Sequence, residues 1–101
     1  MPKPRILIVD DEEDIRDVLK ITLSEEDYDI IEAIDGNEAL RAIQTKSPDL
    51  IILDYKIPYI DGREVCRRTK KDILLRHVPI IMLTGKGEII DKVEGLDAGA
   101  D

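Results

Sequence analysis

The chain has 101 residues and a net charge of −8, with 15 Lys and Arg against 23 Asp and Glu. That length holds one domain, and the acidity argues against nucleic-acid binding, which needs a basic face for phosphates. A single cysteine, Cys66, excludes an intrachain disulfide and a cysteine-rich zinc site, and no apolar stretch approaches the roughly 20 residues of a membrane span.

The first nine residues are too short, and too soon followed by acids, to be a signal peptide, so a cytoplasmic location is expected. With no Phe and no Trp, the core has to be built from Ile, Leu, Val and Ala.

A short apolar run followed by a helical stretch recurs along the chain. Ile6-Leu7-Ile8-Val9 comes first and ends in acids. Ile15, Val18, Leu19 and Thr22 then fall at i, i+3, i+4, i+7, one face of a helix over 14–25. The second run spans Asp29 to Ile34. Asp35 follows as a helix cap, with Glu38 where a capping-box carboxylate belongs. Ala39, Leu40 and Ile43 form the buried stripe of that helix, and Ser47-Pro48 ends it.

Leu50-Ile51-Ile52-Leu53 is the third run, followed by a helix over 62–71 with Val65, Cys66 and Thr69 inward. Ile80-Ile81-Met82-Leu83 is the fourth, and a last helix is expected from Gly87-Glu88 with Val93 and Leu96 inward. Runs one, three and four are apolar throughout, as strands buried on both faces of a parallel sheet are. Strand and helix alternating four times define an α/β domain, with right-handed crossovers placing helices on both faces.

Ligands of open parallel sheets bind beyond the carboxyl ends of the strands, where strand order reverses. The residues at those ends are Asp10-Asp11, Asp54 and Thr84-Gly85. The charge is skewed toward the first of these places. Residues 1–50 carry 14 acids and 6 bases, residues 51–101 carry 9 of each, and the densest acidic stretch is 10–14.

Clustered carboxylates repel one another unless a cation sits among them. Oxygen ligands at an open sheet edge suit Mg²⁺ or Mn²⁺ better than Ca²⁺ or Zn²⁺. His77, the only histidine, falls in the loop before the fourth strand and offers no ligand there.

Beside such an ion an aspartate is a nucleophile toward phosphorus, with the metal and Thr84 on the transferring oxygens. Asp54, standing alone on its strand, is the best candidate. The competing reading is that these acids are solvated loop residues and helix caps, which is their commonest role. Both readings stand on the residues alone.

Four segments taken together decide between them. Ile6 to Glu12, Leu53-Asp54-Tyr55-Lys56-Ile57-Pro58-Tyr59-Ile60-Asp61-Gly62, Pro79 to Gly85 and Gly95 to Asp101 resemble the receiver domain of two-component response regulators, the CheY-like family. The likeness runs from residue 5 to the end and covers residues 1–101 as one such domain. It implies a flavodoxin-like three-layer αβα fold with strand order 2-1-3-4-5.

It also implies phosphotransfer from a histidine kinase or phosphotransfer protein. Asp10 and Asp11 match the metal-binding acids, Asp54 the phosphoacceptor, Thr84 the switch hydroxyl, and the main-chain carbonyl of Lys56 a third metal ligand. On this reading the chain is a signalling switch and not an enzyme. It has no nucleic-acid or membrane partner of its own.

Family members continue into a fifth strand and helix carrying a lysine that pairs with the acceptor carboxylate. Those elements lie past Asp101, so four βα units are expected and switching is expected to be impaired. The fourth strand then becomes an edge, and self-association along it is expected.

Two alternatives accompany this reading. One is a receiver fragment that self-associates without switching. The other, ranked last, is a magnesium-dependent phosphohydrolase using an aspartyl nucleophile. That class places a second acid two residues after the nucleophile, where this chain has Lys56.

Overall fold

The computed structural model describes residues 3–83. In chain order they form β1 (Arg5–Val9), α1 (Glu13–Leu23), β2 (Asp29–Ala33), α2 (Gly36–Lys46), β3 (Leu50–Asp54), α3 (Gly62–Lys71) and β4 (Ile80–Leu83). The helix expected after residue 87 lies outside the described residues.

The four strands are all parallel, in the order β2-β1-β3-β4. Chain order reverses at β1 and β3, which pair from Ile6↔Leu50 to Val9↔Leu53. Their carboxyl ends therefore lie side by side at the switch point.

Alternation along the strands divides the apolar side chains between two layers. Leu7, Val9, Ile51, Leu53, Ile80 and Met82 face α2 and α3, where they meet Ala39, Ile43, Val65 and Cys66. Ile6, Ile8 and Ile52 face the other way, onto Leu19 and Leu23 of α1 and onto Tyr28. This is the flavodoxin-like, CheY-like α/β arrangement that the sequence implies.

Three details depart from expectation. The inward face of α1 is set by Leu19 and Leu23, not by Val18 and Thr22. Val18 is 59% and Ile21 71% exposed, and Thr22 turns its hydroxyl back to the Val18 carbonyl at 2.8 Å. Apolar spacing does not say which of two adjacent stripes meets the sheet.

β2 ends at Ala33, so Ile34 belongs to the connection. β4 is not buried on both faces among the described residues: Ile80 and Met82 are buried, while Ile81 is 36% exposed. Four apolar letters in a row do not say how fully each face of a strand is covered.

The cap expected at Asp35 forms. Asp35 accepts from the Glu38 amide at 2.8 Å. The Glu38 carboxylate reaches back one residue further than a capping box requires, to the Ile34 amide at 3.1 Å. Asp61 caps α3 by accepting from Glu64 at 2.9 Å. α1 has no side-chain cap at Glu12. No helix among the described residues is long and apolar enough to cross a membrane.

Candidate functional site

Asp10 follows β1 directly, and Asp54 is the last residue of β3. Both are 5% exposed, because the buried strands that end there draw them into the sheet edge. Asp11, one residue on, is exposed. One carboxylate oxygen from each of Asp10, Asp11 and Asp54 lies within 4.8 Å of the other two. Three of the residues singled out from the sequence are thus brought to one point. Thr84 and Gly85 lie outside the described residues.

The environment opposes three negative charges there. Burial, the largest effect, pushes the Asp54 carboxyl up to about 6. The charges of Asp10 and Asp11 push the same way, against the amides of Lys56 and Tyr55. Asp10 is also raised, by burial first, with the Glu12 amide and Arg16 opposing.

Asp54 Oδ1 accepts from the Lys56 amide at 3.4 Å, a long contact, so its oxygens are only lightly engaged. All the donors in the cluster are oxygens. Two buried carboxylates and one exposed carboxylate suit a hard divalent cation that keeps part of its water shell.

The segment after Asp54 is held from several sides. The Tyr55 amide donates to the Leu83 carbonyl at 2.8 Å, tying the end of β3 to the end of β4. The Gly62 amide donates to the Tyr55 carbonyl at 2.8 Å, and the Gly36 amide to the Pro58 carbonyl at 3.3 Å. Ile57 is buried beneath the loop, whereas Tyr59 is 84% exposed with φ 70°. Lys56 is exposed.

Sequence reasoning passed over Arg16. Its side chain is 13% exposed, and its guanidinium donates from Nη1 to the main-chain carbonyl of Asp10 at 2.9 Å and pairs through Nε with Glu32 of β2 at 3.0 Å. The only signal was a lone base just after an acidic stretch. Lys70 belongs to a run of bases on α3, with Arg67, Arg68 and Lys71. It donates to the carbonyls of Arg76 and Val78, at 3.1 and 2.8 Å, on the approach to β4. Arg67 and Arg68 of that run pair with Glu64 on their own helix.

Comparison with known proteins places this chain in a family. The model of the response regulator receiver domain matches residues 6–101. The chain is similar to the alkaline phosphatase synthesis transcriptional regulatory protein PhoP of Bacillus subtilis (strain 168), with 50% identity over 97 residues. That match takes in 96% of this chain and 40% of the relative, so the chain spans less than half the length of that protein.

Among solved structures, a response regulator from Chloroflexus aurantiacus J-10-fl superposes with a TM-score of 0.89 at 37% identity, covering 99% of this chain and 82% of that one. The Vibrio cholerae chemotaxis protein CheY4 does so with a TM-score of 0.85 at 33% identity, covering 98% and 82%. The chain belongs to the response regulator receiver domain family of two-component signalling.

Membership corrects one expectation. Reading the chain as not an enzyme went too far. Receiver domains as a class are signalling modules credited with weak autophosphatase activity, so the family does not support a flat exclusion.

Proposed function

We propose that this chain is the phosphoacceptor module of a two-component system, taking a phosphoryl group onto Asp54 from the phosphohistidine of a histidine kinase or phosphotransfer protein. The observation that carries the reading is the convergence of Asp10, Asp11 and Asp54 within 4.8 Å at the carboxyl end of the two central strands.

Asp54 is suited to the nucleophile's part. It ends the strand that pairs with both β1 and β4, its side chain is nearly enclosed, and at neutral pH a carboxyl pushed to about 6 is still mainly ionised. One of its oxygens attacks phosphorus as the P–N bond to the donor imidazole breaks. The electron pair of that bond stays on the imidazole nitrogen, and an aspartyl phosphate remains.

Asp10, Asp11, Asp54 and the main-chain carbonyl of Lys56 would hold Mg²⁺ or Mn²⁺, which supplies positive charge to the transferring oxygens. The amides of Lys56 and Tyr55 favour the ionised acceptor. The Thr84 hydroxyl is the proposed switch group, and a cytoplasmic location goes with this reading.

The test is incubation with acetyl phosphate and Mg²⁺, followed by mass spectrometry. A base-labile phosphoryl adduct on Asp54, lost in Asp54→Asn, is expected. Mg²⁺ binding with no adduct would instead support a receiver fragment that does not switch. Multiple-turnover release of phosphate from unrelated monoesters would point to the phosphohydrolase alternative.

Pairing of a second copy along β4 is a weaker reading. It is supported by the position of β4 at the sheet edge among the described residues and by the partial exposure of Ile81. Light scattering that gives a strict monomer at micromolar concentration rules it out.

A further inference from the structure

We infer that Arg16 is a positioning residue for the cation site, acting through the main chain of Asp10. The inference rests on the reading of Asp10 as a metal ligand.

Asp10 is fixed at every polar group but one. Its amide donates to the Ala33 carbonyl at 3.1 Å, its Oδ1 accepts from the Glu12 amide at 2.9 Å, and its carbonyl accepts from Arg16 Nη1 at 2.9 Å. The first two contacts are local consequences of strand pairing and of the turn into α1. The third reaches across from the first turn of that helix, and it needs an anchor to be rigid.

Glu32 supplies the anchor. It stands opposite Ile8 in the β1–β2 register and so shares the sheet face that α1 covers. Its Oε1 accepts from Arg16 Nε at 3.0 Å, and its Oε2 takes Lys20 Nζ at 3.2 Å.

The guanidinium is therefore held at two points, one on β2 and one on the peptide that carries Asp10. The Arg16 side chain is 13% exposed and that of Glu32 36%, so the pair is partly shielded from water, which strengthens charge-assisted hydrogen bonds. Only a planar fork makes both contacts at once. A lysine has the charge but one nitrogen, and it cannot span Glu32 and the Asp10 carbonyl together. Partners that orient a metal ligand without touching the metal typically contribute 10–100-fold to metal affinity.

Charge and geometry make opposite predictions here. Arg16 is a cation near a cation site, so by Coulomb's law alone its removal strengthens Mg²⁺ binding. If Arg16 positions Asp10, its removal weakens binding.

The experiment is calorimetric titration of Mg²⁺ into the parent chain and into Arg16→Ala, Arg16→Lys and Lys20→Ala, with a thermal melt of each. Both Arg16 variants are expected to lose affinity by about ten-fold, although Arg16→Lys keeps the charge. Lys20→Ala, which also breaks a contact to Glu32 but none to Asp10, is expected to stay within about two-fold of the parent.

Unchanged or tighter binding in Arg16→Lys overturns the inference and leaves the metal reading intact. Equal losses in Lys20→Ala and Arg16→Lys also overturn it, because they reveal general loosening of α1 against β2. A parent chain that does not bind Mg²⁺ at all overturns the metal reading itself. Should Arg16→Ala fail to melt cooperatively, the comparison of Arg16→Lys with Lys20→Ala decides alone.

Discussion

Gly62 sits so close to Asp54 that a β-carbon on the glycine would run into the aspartate's main-chain carbonyl and crowd the α-carbon of Tyr55. The first turn of α3 is thereby seated directly on the strand end that presents the Asp54 carboxylate. A methyl group at this place has backbone, not a flexible side chain, to displace. Gly62→Ala is expected to lower stability by about 1–3 kcal/mol in urea denaturation, despite the better helix propensity of alanine. It is also expected to weaken Mg²⁺ binding, since relief of the clash moves Asp54.

Asp54 makes stability pH-dependent in a definite direction. Its carboxyl is raised from 3.8 to about 6 in the fold, so between those values the folded chain holds a proton that the unfolded chain has released. Stability from this group is full below about pH 4 and is lost as pH rises through about 6. In metal-free buffer, Asp54→Asn is therefore expected to be more stable than the parent at pH 8, by about 1–2 kcal/mol after allowance for screening by water at the exposed Asp11. The two are expected to converge near pH 4. Urea midpoints across that range check the sign.

Tyr59 occupies the left-handed region with φ 70° and is 84% exposed, so it gives up little packing when replaced. A non-glycine aromatic in that region costs about 1–2 kcal/mol, while asparagine tolerates it through local hydrogen bonding. Tyr59→Asn is expected to raise stability by roughly 0.5–1 kcal/mol. A lower urea midpoint would mean that the ring makes contacts worth more than the strain.

Lys70 links the end of α3 to the strand that follows it. Lys70→Met keeps much of the aliphatic stem and removes the hydrogen bonds to Arg76 and Val78. A loss of about 1–2 kcal/mol is expected. Faster amide exchange in β4 than in β1, measured in the variant against the parent, is the local signature.

Much of this molecule was legible in its sequence, and for physical reasons. Doubly buried strands such as Ile6–Val9 and Leu50–Leu53 have to be apolar at every position, so they stand out from an amphipathic background. Asp35 was legible as a cap by its place before a helical run with Glu38 three residues on. The acids at 10, 11 and 54 emerged because strand ends are where this topology gathers side chains.

What was hidden depended on docking angles and on main-chain partners. Whether Val18 or Leu23 faces the sheet is set by the angle at which α1 docks, and no spacing records that angle. Arg16 and Lys70 gave no signal because each donates to main-chain carbonyls, and a carbonyl leaves no mark in a sequence.

Cys66 lies fully buried among the residues that join α3 to the sheet, and the sequence contains no other cysteine and no tryptophan. A thiol reagent can reach this sulfur only when α3 lifts from the strands. Labelling kinetics at this one atom therefore report the opening of the layer that carries Gly62 and supports Asp54. Any ligand that favours the closed form slows that reaction in proportion to the opening it suppresses. The core packing of a single side chain thus gives the molecule an intrinsic probe of site occupancy, with no added fluorophore and no turnover to follow.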